Sequence, residues 1–254
     1  MSKNFELLQE AELMPNTTST AEPKANFRVS STRVNGHTKQ SHLNLDKVTR
    51  EESLKLIQSV FLSKGTESPR VVMFASIDSG NGCSRICGHA AEVLAGQMIG
   101  SVCVVDANLH SPSLAEFFGV TNHFGLTDSL RKDGAIREFA KQVRMDNLWL
   151  LSIGSLTTDS FGLLNLDLMK ARVDELRKEF DYVLIDSPPL NTFADGMTLG
   201  KLADGVVLVL EANSTRREAA AKVAESLRTA QIRIVGAVLN KRTFPIPEAL
   251  YQLL

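Results

Sequence analysis

The feature that most constrains this 254-residue chain is a succession of short, unbroken Val/Ile/Leu runs separated by segments of helical spacing. The runs cover Val71–Ala75, Val102–Val105, Leu148–Ile153, Tyr182–Ile185, Val206–Leu210 and Ile234–Leu239. Runs without polar alternation imply strands buried on both faces, hence a mostly parallel sheet with helices on both sides. Helices are expected over Arg50–Leu62, Ser84–Gln97, Leu166–Phe180, Ala194–Leu202 and Thr215–Ala230. Shorter ones are expected near Ser113–Phe118 and Leu126–Arg131. Residues 1–45 lack sustained periodicity and are rich in Ser, Thr, Asn and charge, so they read as a flexible tail. Residues 46–254 form the α/β domain, with no repeat and no second domain.

A net charge of −1 gives no sign of a nucleic-acid partner. Runs such as Val206–Leu210 fall far short of the roughly 20 apolar residues that span a bilayer. No basic start precedes an apolar stretch at the N-terminus, so a cytoplasmic location is the expectation. Three cysteines make no disulfide framework. Cys83 and Cys87, with His89 nearby, share a helix face; packing against the sheet is favoured there over a metal or redox site.

In a parallel α/β sheet, ligands bind at the carboxyl ends of the strands. Three segments fall there. Ser76–Arg85 follows the first strand and opens a helix, in the place of the phosphate-loop pattern G-x-x-x-x-G-K-[ST]. Gly80 and Gly82 let the backbone fold around an anion, the helix presents unpaired N–H groups, and Ser84 stands where a Mg²⁺-binding hydroxyl belongs. Cys83 occupies the position of the phosphate-gripping lysine. The other two segments are apolar strands running into Asp106 and Asp186, carboxylates suited to holding Mg²⁺ or polarising an attacking hydroxyl.

The segments Asp106–Leu114, Gly125–Leu130, Phe180–Pro189 and Val238–Lys241, followed by Pro245-Ile246-Pro247, carry a specific resemblance. From about residue 50 to its end, the chain resembles the cytoplasmic kinase module of bacterial tyrosine kinases (BY-kinases) of capsule and exopolysaccharide systems. These are relatives of the MinD/ParA-type P-loop ATPases. The resemblance implies ATP or ADP with Mg²⁺ as cofactors. It assigns the phosphates to Gly80, Asn81, Gly82, Cys83, Ser84 and Arg85, and Mg²⁺ to Ser84, Asp106 and Asp186. Asp106 and Asp186 are the implied catalytic carboxylates, Asn240 looks like the residue that reads the base, and Tyr251 is the implied phospho-acceptor. A membrane polysaccharide co-polymerase, as activator, and further copies of the chain are the implied partners.

The departures from that family concentrate in the chemistry. Beyond Cys83, Asn108 stands for the second acid of an Asp-x-Asp pair, His110 for an Arg and Arg85 for a small hydroxyl residue. Asp78 would repel phosphate unless its side chain turns outward. A unit charge about 4 Å from a phosphate oxygen is worth roughly 4 kcal/mol at an effective dielectric near 20, or on the order of 10³-fold in rate. A neutral thiol cannot supply it, and a thiol ionised by the helix N-terminus would oppose phosphate further. Arg85, on the first helical turn, is the one replacement cation in view, although a solvated Arg is the plainer reading. Tyr182 is expected to be buried. The Glu-x-x-Arg-x-x-Arg spacing of the family's oligomerisation helix reads Glu52, Lys55, Gln58, leaving one helical ion pair. The expected function is therefore a catalytically weakened, BY-kinase-like regulatory subunit. An active tyrosine autokinase and a MinD/ParA-like adaptor ATPase are the alternatives.

Overall fold

The structure, a computed structural model, describes residues 41–61, 68–97, 100–156 and 166–242. Seven strands form one sheet: β1 (Val71–Ser76), β2 (Val102–Asp106), β3 (Lys141–Gln142), β4 (Leu148–Leu151), β5 (Tyr182–Asp186), β6 (Gly205–Glu211) and β7 (Ile234–Asn240), in the order β3-β4-β2-β5-β1-β6-β7. All pairings are parallel except β3 with β4. The helices are α1 (Ser41–Phe61), α2 (Cys83–Gln97), α3 (Leu114–Phe118), α4 (Leu126–Ser129), α5 (Ile136–Phe139), α6 (Leu166–Glu179), α7 (Asp195–Gly200) and α8 (Arg217–Thr229). No helix among the described residues is long and apolar enough to cross a membrane.

The unbroken apolar strands are explained by two cores, one on each face of the sheet. Along β1, Val71, Met73 and Ala75 pack with Met169, Val173 and Leu176 of α6, Leu199 of α7 and Val223 and Leu227 of α8. Val72 and Phe74 point the other way, into a cluster with Ile57, Val60 and Phe61 of α1 and Cys87, Ala90, Ala91 and Leu94 of α2. Alternate residues thus serve opposite layers, and each fully buried Val, Leu or Phe contributes about 1.5–3 kcal/mol. Cys87 belongs to this packing. The doubly covered parallel sheet matches the expectation.

Four local expectations change. Helix α1 begins nine residues before Arg50, at Ser41. β3 and α5, of two and four residues, are too short to leave a periodic signature. β7 is only partly covered: it is a sheet edge, and Ile234 and Leu239 are 38% and 54% exposed. Tyr182 is half-buried rather than buried, meeting Phe61 edge-to-face at 5.7 Å. The expected Glu52–Lys55 ion pair is present at 2.6 Å, on exposed side chains.

Central strand β1 lies between β5 and β6, and the connection from β5 to β6 passes over it. The carboxyl ends of β1, β2 and β5 therefore open on one crevice, with Asp106 and Asp186 as direct register partners.

Candidate phosphate-binding site

The chain leaves β1 at Ser76 and curls before entering α2 at Cys83. Gly80 and Gly82 have φ of +81° and +83°, a region that L side chains rarely adopt. A Cβ at Gly82 would lie 2.5 Å from Nδ2 of Asn240, so glycine is required there twice over. The turn closes into the helix through the Ile86 N–H, which donates to the Gly82 carbonyl at 3.1 Å. Above the loop lies a cavity of about 370 Å³ lined by Ser79 to Arg85 on one side and by Asn108, His110, Ser111 and Phe193 opposite.

Asp78 does not face that cavity. Its Oδ1 accepts from Asn191 Nδ2 at 3.1 Å, which meets the condition under which an acid beside the loop is compatible with phosphate. Asn81 is buried: its Oδ1 accepts the Asp78 N–H at 2.9 Å and its Nδ2 donates to Glu211 at 3.1 Å. Asn240 Nδ2 donates to the Asn81 carbonyl at 2.8 Å. The expected base reader thus touches the loop. Tyr251 lies outside the described residues.

The two strand-end carboxylates differ sharply. Asp106 Oδ1 accepts the Asn108 N–H at 3.3 Å, and its Oδ2 accepts those of Ser113 and Leu114, each at 3.1 Å. It therefore caps the chain entering α3. Asp186 is fully buried, and neither of its oxygens has a hydrogen-bond partner. Burial raises its pKa well above the ordinary carboxylate range and the neighbouring Asp106 charge raises it further. The nearby Ser84 and Cys83 side chains pull it partly back without reaching hydrogen-bond geometry. Burial also raises Asp106, against the lowering by its three backbone donors. The pair binds a proton far more tightly than two solvated carboxylates would.

An unpartnered, fully buried carboxylate beside a Ser hydroxyl at the mouth of a phosphate loop fits a divalent cation. Among the described residues, no group of three or more His, Cys, Asp or Glu side chains converges on a metal. Mg²⁺ here would therefore draw on Asp186 and Ser84 from the chain, with water and phosphate oxygens completing its shell. Cys83 and Cys87 pack in the core beneath the loop, and His89 faces Glu92, with Nδ1 3.4 Å from Oε2.

At Cys83, burial outweighs the helix N-terminus. Burial drives the thiol pKa well up, and the Asp186 and Cys87 charges add to that, so the side chain stays neutral. Arg85 is exposed, borders the cavity, and makes no hydrogen bond or ion pair among the described residues. His110 Nε2 lies 3.2 Å from Asp195 Oδ2, and its ring stacks on Phe193 with centroids 3.4 Å apart. Phe193, Asp195, Asn191 and Glu211 were not singled out from the sequence. They sit just beyond β5 or end β6, and the rule that places sites at strand carboxyl ends is the only signal for them.

Comparison with known proteins agrees with this geometry. A profile of the ParA family, described as NUBPL iron-transfer P-loop NTPase, matches residues 68–252. Tyrosine-protein kinase YwqD of Bacillus subtilis (strain 168) is 33% identical over 169 residues, covering 66% of this chain and 71% of that protein. The putative tyrosine-protein kinase CapB of Staphylococcus aureus is 25% identical over 77% of this chain and 86% of its own length. The solved kinase domain of Escherichia coli tyrosine kinase ETK has a TM-score of 0.72 at 21% identity, over 85% of this chain and 87% of its own; that likeness is one of fold.

Proposed function

The chain belongs to the ParA family of P-loop NTPases and has bacterial tyrosine kinases among its relatives, and from that premise we propose that it is a nucleotide-binding regulatory module weakened in catalysis. It serves a capsule or exopolysaccharide system through a membrane co-polymerase partner.

The observation that carries this reading is Cys83: the position of the loop lysine is taken by a buried, neutral thiol beside Asp186. The rest of the cradle is retained. The loop from Gly80 to Ser84 keeps its positive-φ glycines and its amides around the cavity. Asp186 and Ser84 would hold Mg²⁺, which when bound would offset phosphate charge. The chain therefore keeps the groups that bind and orient a phosphate and lacks the cation that stabilises charge developing on it, a loss on the order of 10³-fold in rate.

Calorimetry with ADP, ATP and Mg²⁺, paired with a turnover assay, tests the reading. The natural chain should bind nucleotide weakly with little turnover, and Cys83→Lys should gain affinity because the ammonium would meet the phosphate. Turnover in the natural chain equal to that of active kinases, and abolished by Asp186→Ala, would refute it.

A second reading is favoured by one specific observation, the placement of unpartnered Arg85 at the cavity. Here Arg85 supplies the missing charge and the chain phosphorylates Tyr251. Phosphotyrosine at Tyr251 that disappears in Arg85→Ala and in Asp106→Ala would establish that reading over the first.

A further inference from the structure

The phosphate loop lacks its lysine, and other side chains hold its shape. A loop that turns its amides inward toward an anion turns carbonyls outward, and those carbonyls need donors. Both outward carbonyls at the tip have one. The Gly80 carbonyl accepts from Lys241 Nζ at 2.9 Å, and the Asn81 carbonyl from Asn240 Nδ2 at 2.8 Å. These donors are adjacent residues at the end of β7.

Glu211, at the end of β6, completes the set. One carboxylate oxygen accepts from Lys241 Nζ at 3.1 Å and the other from Asn81 Nδ2 at 3.1 Å. A single side chain thereby ties the loop to the residue that holds it. Lys241 sits at φ +54°, an uncommon conformation for a residue with a Cβ. That backbone turn aims its side chain back over the loop. The 2.5 Å separation between Asn240 Nδ2 and an imagined Gly82 Cβ shows how closely the clamp is seated.

We propose that Asn240, Lys241 and Glu211 clamp the loop in its anion-binding shape before any ligand arrives, so that Asn240 acts on the loop as a positioning residue. The inference shares with the proposed function only the premise that this loop binds phosphate. One N–H of the Asn240 amide is committed to the Asn81 carbonyl, and that bond fixes the side chain against the loop.

Hydrogen exchange in the ligand-free full chain tests the clamp directly. The reporters are the Asp78 N–H, bonded to Asn81 Oδ1, and the Ile86 N–H, bonded to the Gly82 carbonyl. In Asn240→Ala, and separately in Lys241→Met, both amides should exchange about tenfold faster or more, while amides within β1 keep the natural rate. Loop exchange unchanged in both variants would overturn the clamp. A second arm compares Mg²⁺-pyrophosphate with Mg²⁺-ADP binding to Asn240→Ala. The clamp predicts that both weaken, and weakening of ADP alone would overturn it. Should the natural chain bind neither probe, the proposed function fails, and the exchange result still decides the clamp.

Discussion

Replacing Asp186 by Asn should stabilise the free protein at neutral and alkaline pH. Asp186 is fully buried without a hydrogen-bond partner and faces a second carboxylate. Its folded-state pKa is raised above the ordinary value of 3.8. Between those two values the folded chain holds a proton that the unfolded chain has released, so stability falls as pH rises through that window. Each unit of elevation crossed costs about 1.4 kcal/mol, so about one and a half units of elevation are enough to give Asp186→Asn an advantage of about 2 kcal/mol at pH 7–8. For a domain of this size that is roughly 4–8 °C in Tm. Below about pH 4 both carboxyls are neutral in either state and the two proteins should melt together. Asp106 retains its own burial-driven elevation, so Asp186→Asn should keep a shallower slope and not a flat line. Thermal melts of both proteins from about pH 3 to 9, without nucleotide or Mg²⁺, give the answer. Parallel profiles, or a variant less stable at pH 8, would show that the carboxylate is compensated in solution. The same substitution should abolish any Mg²⁺-dependent binding, because the charge that costs stability is the one a cation would use.

Gly82→Ala forces a left-handed conformation on a residue with a Cβ and displaces Asn240 Nδ2. It should cost about 1–2 kcal/mol in urea unfolding and speed exchange of the Ile86 amide. Asp204 accepts from the Arg70 and Val71 amides, each at 2.8 Å, and pairs with Arg177, also at 2.8 Å, and these partners hold its pKa below the usual range against the cost of burial. Its stabilisation is present above the unfolded value of 3.8 and lost as pH falls through the lowered one. Asp204→Asn should therefore cost about 1 kcal/mol at pH 7, discounted for its partial exposure; the gap in Tm should close in acid. All three cysteines are free and buried, so a thiol reagent at pH 8 should label the native chain slowly and the denatured chain at all three; one rapidly labelled thiol would contradict the raised Cys83 pKa.

What the sequence made legible was set by burial and by strand ends. Asp106 and Asp186 could be found because an apolar strand that stops on a carboxylate is visible in one dimension, and the sheet aligns them. Their different states could not be found that way. The donors to Asp106 come from Asn108, Ser113 and Leu114 through a loop whose path only the fold supplies. The thiol of Cys83 likewise had two sequence-level environments, a helix N-terminus that lowers its pKa and a burial that raises it. Burial wins because the side chain turns toward buried Asp186 in a core that contains Cys87. Asn240 shows the same limit from the other direction. Its position at a strand end next to the loop was legible, but the commitment of its amide depends on Gly82 leaving room for it. Glycine spacing therefore encodes more than the curl of the phosphate loop. It also encodes the approach of β7, and the residues that hold a lysine-free loop open lie some 130 to 160 positions away in the chain.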